Sequence, residues 1–306
     1  MGRYALQRLI GVIPLLFIVS VLVFMFIHLI PGDPARLIAG KDATLEEIHG
    51  IQHQLGLDLP LWRQYFNYMG DLLSGNLGQS IRSGLPVTDM LSSRIMPTLW
   101  LTFLSMAWAL VIGILIGVVS AVYRNRWPDY AGTLIAISGM SVPGFWLGLV
   151  LIQIFSVQLG WVPTGGVDSW KSYIMPSLTL GAGIMSMLAR YSRSSMLETM
   201  REDYIRTGRA KGLRETLVVG RHALRNSLIQ VVTVAGLQFG FLLGGSVMVE
   251  TVFSIPGIGR LLVDSILYRD YTVIQALLLI FATQFILINL IVDLLYGVLN
   301  PKIRYS

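Results

Sequence analysis

The stretch "EDYIRTGRAKGLRETLVVGRHALRNSL", residues 202–228, is basic and helix-like, and it lies in a chain that is otherwise mostly apolar. Nine of the 23 Lys and Arg residues fall between Arg190 and Arg225. Hydrophobic residues make up 54% of the chain and charged residues only 13%, whereas soluble domains carry about 25% charged residues. We therefore predict an integral membrane protein that holds this basic segment outside the membrane.

Six segments are apolar over a length that spans a bilayer, which takes about 20 residues. The first is longer than the apolar region of a signal peptide, about 7–15 residues, so we expect it to be retained. The fourth is the weakest, because Pro176, Gly181 and Gly183 interrupt it. The predicted fold class is an all-α polytopic membrane protein with six transmembrane helices. The predicted spans are residues 9–30, 99–122, 133–157, 173–190, 229–251 and 275–298.

The basic residues set the orientation of these spans. In a six-span order, 15 Lys and Arg residues fall on one side and 8 on the other. The richer side should be cytoplasmic, so both termini are predicted inside. On the outer side, residues 253–271 form a loop with a short interfacial or re-entrant helix. The predicted divisions are span 1 within 1–30, a small periplasmic cap at 31–98, a transmembrane core at 99–298 that includes the cytoplasmic segment 191–228, and a tail at 299–306.

Several kinds of chemistry are excluded or disfavoured by composition. The chain has no Cys, so it has no disulfide, thiolate metal site or thiol nucleophile. It has no GxxxxGK[ST] motif, so we expect no ATP site of that type in this chain. His49 and His53 are spaced for one helix face; a metal site there stays open, but a solvated face is favoured. The net charge of +6 is explained by cytoplasmic loops and not by nucleic acid.

A membrane-embedded enzyme is a further alternative. It requires a nucleophile paired with a base inside the spans. No His lies well inside a predicted span, since His28 is at the outer end of the first. We therefore predict no catalytic residue and no resident metal or cofactor.

Two carboxylates and three glycines stand out within the spans. Glu250 and Asp293 lie near span ends, so capping or a salt bridge to a partner is favoured over a proton or substrate role. Gly236, Gly240 and Gly244 are spaced by four and lie on one helix face, where small residues let another helix approach closely. Packing within the chain and packing against a second subunit both remain open.

The basic segment itself predicts a helix, a turn and a second helix. Asp203 is predicted to cap a short helix that begins at Tyr204. Gly212 is predicted to end that helix in a left-handed conformation. A second helical stretch from Glu215 leads into the fifth span. Apolar residues are interleaved with the basic ones, which a solvated loop that only fixes topology does not explain: Ile205, Ala210, Leu213, Leu217 and Val218.

This segment resembles the cytoplasmic coupling loop of the permease subunits of ATP-binding-cassette importers. The family pattern is Glu-Ala-Ala, three residues, then Gly; here Arg206-Thr207-Gly208 stands at the first position and Gly212 at the glycine. Gly208 replaces the usual Ala. Further motifs are similar in order and spacing to the dipeptide, oligopeptide and nickel branch. They are "PGDP" (31–34), "LGLD" (55–58), "GNLGQS" (75–80), "PTLWLT" (97–102), "PSLTLG" (176–181), "GGSVMVETVFSIPGIGRLL" (244–262) and "NP" (300–301).

The resemblance implies a type I importer permease fold in the bacterial inner membrane. It implies a sibling permease subunit, cytoplasmic ATPase subunits that use ATP and Mg, a periplasmic substrate-binding protein and contact with membrane lipid. Within the branch, "RNRWPD" (124–129), "LQFGFLLGGS" (237–246) and "NPKIRYS" (300–306) are most similar to permeases of glutathione importers, so the expected cargo is glutathione or a similar short peptide.

The resemblance also implies roles for particular residues. The ATPase-coupling residues are Asp203, Tyr204, Thr207, Arg209, Ala210, Lys211 and Gly212. The translocation path is expected within spans 3 to 5, with Ser141, Pro143 and Gln238 as candidates. The alternative function is an ATP-independent channel or secondary carrier for small solutes. A proton-coupled carrier needs ionisable groups near the midplane, and none lies there in the predicted spans.

Overall fold

The computed structural model describes residues 2–29, 35–36, 44–54 and 56–299. Within these residues the regular structure is helical, apart from one antiparallel bridge between Gln79 and Pro86. The predicted all-α fold is confirmed, whereas the motif at 31–34 and the tail at 300–306 lie outside the described residues. The helices are α1 (Gly2–Leu29), α2 (Leu45–Gln54), α3 (Leu61–Leu73), α4 (Val87–Val122), α5 (Trp127–Ser141), α6 (Gly144–Gln158), α7 (Trp170–Thr199), α8 (Asp203–Ala210), α9 (Glu215–Val252), α10 (Ile258–Leu267) and α11 (Tyr271–Leu299).

The third predicted span is not one straight helix. Helices α1, α4, α7, α9 and α11 are each long and apolar enough to cross a membrane, and α5 with α6 forms a sixth span that bends by 102°. The prediction of a single helix over 133–157 is therefore wrong. The break follows from Pro143, because a residue before proline is disfavoured in helical conformation. Val142 accordingly has φ −82 and ψ 122.

The fourth predicted span is continuous, contrary to its expected weakness. Pro176 lies in the first turn of the α-helical part of α7, where its missing N–H leaves no helical hydrogen bond unmade. At Gly181 a Cβ would lie 2.7 Å from the ring of Trp108, whose Nε1 donates a hydrogen bond to the Ser177 carbonyl at 2.9 Å. Gly181 is therefore a point of close packing and not a helix break.

Helices α4 and α7 pack along their length and form the centre of the molecule. The close approach depends on two glycines of α4. A Cβ at Gly113 would lie 2.8 Å from the Met185 carbonyl oxygen, and one at Gly117 would lie within 2.4 Å of the Ser192 side chain. Helix α9 packs against both helices, and α11 packs against both α9 and α1.

The outer side carries a small structure, as predicted, but it ends earlier than expected. Helix α4 begins at Val87 and not at residue 99, so its first turns stand above the predicted span. The Ser80 hydroxyl and the Ile81 N–H both donate to the carboxyl group of Asp270, at 2.5 and 3.1 Å. Asp270 precedes α11, so the outer segment between α3 and α4 is held against the loop that contains α10.

Candidate coupling site and translocation path

The short helix α8 forms at the predicted place but begins one residue earlier than predicted. Glu202 occupies the N-cap position in an extended conformation and makes no capping hydrogen bond through its side chain. Asp203 is the first helical residue, so the prediction that Asp203 caps the helix is wrong. Its carboxylate lies in the first turn, where negative charge is favourable near the positive end of the helix dipole.

The turn after α8 is confirmed. Gly212 has φ +76, a conformation that favours glycine because a Cβ would be strained. The Leu213 N–H donates to the Gly208 carbonyl at 3.3 Å, and the Gly212 N–H donates to the Arg209 carbonyl at 2.9 Å. The chain therefore reverses sharply before it enters α9.

One apolar side chain anchors α8 to the membrane helices. Ile205 is 1% exposed and packs in a cluster with Ala121, Met196, Val218 and Ala223. These residues come from α4, α7 and the beginning of α9. Ile205 and Val218, two of the interleaved apolar residues, are therefore buried within the chain and are not available to a docking surface. Of the remaining interleaved residues, Ala210, Leu213 and Leu217 are exposed.

Polar contacts stiffen the same segment. The Arg209 guanidinium donates two hydrogen bonds to the Glu215 carboxylate, at 2.6 and 3.1 Å, and these bonds raise the pKa of Arg209 above its ordinary value. The Asn226 amide donates to the Tyr204 hydroxyl at 2.7 Å. Arg209 and Tyr204 thus connect α8 to α9 across the turn, whereas Lys211 is exposed.

Sequence reasoning missed a buried ion pair close to this segment. Asp129, in the first turn of α5, is 3% exposed and accepts two hydrogen bonds from Arg193 of α7, at 2.6 and 2.8 Å. It also accepts the Asn125 N–H at 2.9 Å. Such two-point pairs between arginine and carboxylate are among the stronger polar contacts in proteins. The only signal in the sequence was an acidic residue in the first turn of a helix, within "RNRWPD".

We predict that this ion pair stabilises the protein measurably. Asp129→Asn removes the carboxylate that accepts from Arg193 and should cost about 1–3 kcal/mol, the usual cost of losing hydrogen bonds to a charged group. Asp168→Asn, at an exposed loop position, is the matched control. Thermal unfolding of the purified chain in detergent measures both. Equal melting temperatures for the two variants would contradict a stabilising role.

The three candidate path residues occupy two separate elements. Ser141 and Pro143 lie together at the break between α5 and α6, and the Ser141 hydroxyl donates to the Ile137 carbonyl at 2.9 Å. Gln238 lies half-buried on α9, which packs against α6. The third span therefore has a serine and a bent backbone at the point where α5 and α6 meet.

The three glycines on one face of α9, Gly236, Gly240 and Gly244, differ in what they contact. A Cβ at Gly236 would lie 2.4 Å from the Val292 side chain, and one at Gly240 would lie 2.8 Å from Phe285, both on α11. These two glycines therefore pack within the chain. At Gly244 a Cβ would meet nothing within 4 Å, so the helix surface at Gly244 is open. Packing against another subunit remains a hypothesis for Gly244 alone.

The difference between these glycines is directly testable. Gly236→Ala should lower stability by about 1–3 kcal/mol, because the added methyl overpacks the contact with Val292. Gly244→Ala should leave stability unchanged or raise it by up to about 1 kcal/mol through helix propensity. The melting temperatures of the two variants give the comparison. A loss at Gly244 as large as that at Gly236 would contradict the assignment.

The two carboxyl groups near the span ends both have partners in this chain. Glu250 is fully buried; it accepts the Thr98 hydroxyl at 2.7 Å and the Arg260 N–H at 2.9 Å. Because Arg260 lies in the first turn of α10, Glu250 caps that helix, as favoured from the sequence. Asp293 pairs with Arg8 at 3.1 Å, so its salt bridge lies within the chain and joins α1 to α11.

Comparisons with known proteins agree over the whole chain. Residues 113–305 match the family model described as "Binding-protein-dependent transport system inner membrane component", and residues 1–102 match the model of its N-terminal part. The chain is 58% identical over 306 residues to the "Glutathione transport system permease protein GsiC" of Escherichia coli O6:H1, with 100% of both chains covered. It is 57% identical, with the same coverage, to the proteins of that name from Escherichia coli K12 and Shigella flexneri serotype 5b.

Solved structures show the same fold. An inward-facing form of the MetNI methionine ABC transporter matches with a TM-score of 0.59 at 24% identity, covering 70% of this chain and 97% of the other. An amino acid ABC transporter matches with a TM-score of 0.56 at 16% identity, covering 68% and 94%. The fold is therefore that of type I ABC importer permeases. With six apolar spans and matches along its full length, the chain belongs to the family of inner-membrane components of binding-protein-dependent transport systems, and it is a transport subunit and not an enzyme.

Proposed function

We propose that the chain is one of two permease subunits of an ATP-driven importer whose cargo is glutathione or a similar short peptide. The full-length identity of 57–58% to glutathione transport permeases supports the cargo class. The partners in this proposal are a sibling permease, cytoplasmic ATPase subunits that bind ATP and Mg, and a periplasmic binding protein. The outer loops, residues 31–98 and 253–271, would meet the binding protein.

The observation that carries the mechanism is the anchoring of α8. Of the proposed coupling residues, Thr207 and Ala210 on α8 and Lys211 directly after it are exposed, whereas Ile205 is buried in the cluster. A helix fixed in this way transmits a push from beneath to the helices above it as a rigid body. Asp203 supplies charge in its first turn, and Gly212 makes the turn into α9. Tyr204 and Arg209 hold α8 to α9.

The motion would reach the third span through the ion pair described above. Asp129 and Arg193 connect the cytoplasmic end of α5 to α7, and α7 leads directly into α8. The other end of α5 is the break at Ser141 and Pro143. A displacement of α8 would therefore change the angle at this break, which we propose lines the path together with Gln238 of α9.

Transport in proteoliposomes tests the proposal. The chain is purified with its co-expressed permease, ATPase and binding-protein partners, and uptake of labelled glutathione is measured with and without ATP. We expect uptake that depends on ATP and on the binding protein. ATP-dependent uptake of other peptides but not of glutathione would correct the cargo alone. Uptake by this chain alone without ATP would replace the proposal with the channel or carrier alternative.

A further inference from the structure

Helix α3, in the outer segment between the first two membrane helices, has three distinct faces. With 100° between successive residues of an α-helix, Tyr65 and Tyr68 are about 60° apart on one side, and Asp71 and Asn67 lie about 120° and 160° from Tyr65 in the direction of Tyr68. Trp62, Leu73 and Phe66 lie about 60–100° from Tyr65 in the other direction. These last three side chains are 59%, 67% and 82% exposed. The described residues therefore leave a large part of the apolar surface of α3 uncovered.

The tyrosine face fixes how deep α3 lies. The Tyr65 hydroxyl is 2.8 Å from the Ser20 hydroxyl, and its ring meets Phe17 edge to face with centroids 6.2 Å apart. Both partners belong to the apolar stretch of α1, which runs at least to Phe26. At a rise of 1.5 Å per residue, Ser20 lies at least about 9 Å inside the outer end of that stretch.

The polar face of α3 contacts α1 further out. The Gln64 amide oxygen lies 3.1 Å from Nε2 of His28, which stands in the last turn of α1, near its outer end. Two neighbouring residues of α3 thus contact α1 at positions eight residues apart, Gln64 near the outer end and Tyr65 at Ser20. The side of α3 that carries the tyrosines therefore faces the membrane interior, and the polar side faces outward.

The uncovered apolar face turns towards the same side as the tyrosines. Leu22 of α1, two residues after Ser20, is also 63% exposed within the apolar stretch. The Arg63 guanidinium lies 5.1 Å from the centroid of the Trp62 ring, so a cation stands beside this aromatic side chain. Trp is enriched at the boundary between membrane and water. An amphipathic helix that lies in this interface typically buries its apolar face about 5–10 Å deep.

We infer that α3 is an interfacial helix inserted into the outer leaflet, with Trp62, Phe66 and Leu73 in contact with phospholipid. The outer segment is then not a cap that stands wholly in the aqueous space. The occupant of the exposed face is lipid, because the Tyr65 contacts place α3 beside the apolar stretch of α1, at membrane depth.

Spin labels on the Cys-free chain test this placement. Single Cys variants Phe66→Cys and Leu73→Cys are labelled in the complete complex, reconstituted in phospholipid vesicles. Asn67→Cys is the matched aqueous control on the opposite face, and Leu22→Cys is the lipid reference on α1. Collision rates are measured with oxygen, which concentrates in lipid, and with a water-soluble nickel chelate. We expect the oxygen-to-nickel ratio at positions 66 and 73 to exceed that at 67 several-fold and to approach that at 22.

Two results would overturn the inference. Nickel accessibility at positions 66 and 73 equal to that at 67 would place the face in water. An immobilised label that neither reagent reaches would mean that another protein subunit covers the face. Leu73 is the more exposed of the two tested positions, so its variant carries the same test if Phe66→Cys fails to assemble.

Discussion

ATP-driven uptake is expected to be lost when Ile205 is replaced by aspartate. Ile205 is the side chain through which α8 contacts α4 and α7, and it is 1% exposed. A carboxylate placed among Ala121, Met196 and Val218 would have no polar partner in that cluster, and burying an unpaired charge is strongly unfavourable. The helix should therefore detach from the spans while the spans themselves remain folded.

Two readouts separate uncoupling from unfolding. Uptake into proteoliposomes should fall at least tenfold, whereas ATP hydrolysis by the partner subunits should persist and lose its dependence on the binding protein. Ser194→Asp adds the same charge at an exposed position of α7 and should leave uptake close to that of the unmodified protein. Ile205→Val should cost about 0.5–1.5 kcal/mol and retain most of the uptake. Full, ATP-coupled uptake by Ile205→Asp would contradict the anchoring role.

Removing the carboxyl group of Glu250 is expected to produce the largest loss of stability. In Glu250→Ala the Thr98 hydroxyl and the Arg260 N–H lose their acceptor in a fully buried site. Each buried donor left unsatisfied costs about 1–3 kcal/mol, so the two together should cost about 2–6 kcal/mol. Thermal unfolding in detergent, and protease cleavage of the loop around α10, measure the effect.

Two matched variants control this experiment. Glu250→Gln keeps the volume and one acceptor oxygen, so its loss should be smaller than that of Glu250→Ala. Glu198→Ala removes an exposed glutamate from α7 and should change the melting temperature little. If Glu250→Ala were as stable as Glu198→Ala but uptake were lost, Glu250 would act in transport and not in holding α10.

The number of spans was predictable because it depends on local apolar length. The sidedness, which follows from where Lys and Arg accumulate, stays a prediction. The turn at Gly212 was also predictable from local sequence, since glycine after a short helix favours a left-handed residue. The predicted helix start at Tyr204 was one residue late, and this error has a local cause too: Glu202 and Asp203 are both acidic, and the sequence does not decide which one occupies the N-cap position.

Contacts between distant residues were not predictable from spacing. Ile205 stands in a strongly basic stretch, and its burial depends on Ala121 and Met196, which reach it only in the folded chain. Glu250 was expected to cap, but its partner Thr98 lies 152 residues away. The 102° bend at Pro143 exceeds what a proline alone indicates. Gly148, where a Cβ would lie 3.0 Å from Phe253, lets α6 pack close beside the end of α9.

The central claim is that α8 transmits the ATPase cycle to this chain, and a thiol crosslink tests it most directly. Because the chain has no Cys, Ala210→Cys places a single thiol on the exposed side of α8. The tagged variant is expressed with its partner subunits, and crosslinking to the co-purified ATPase is measured with and without ATP. We predict a crosslink whose yield changes with ATP. Absence of any crosslink in an assembled complex that still imports its cargo would contradict the claim.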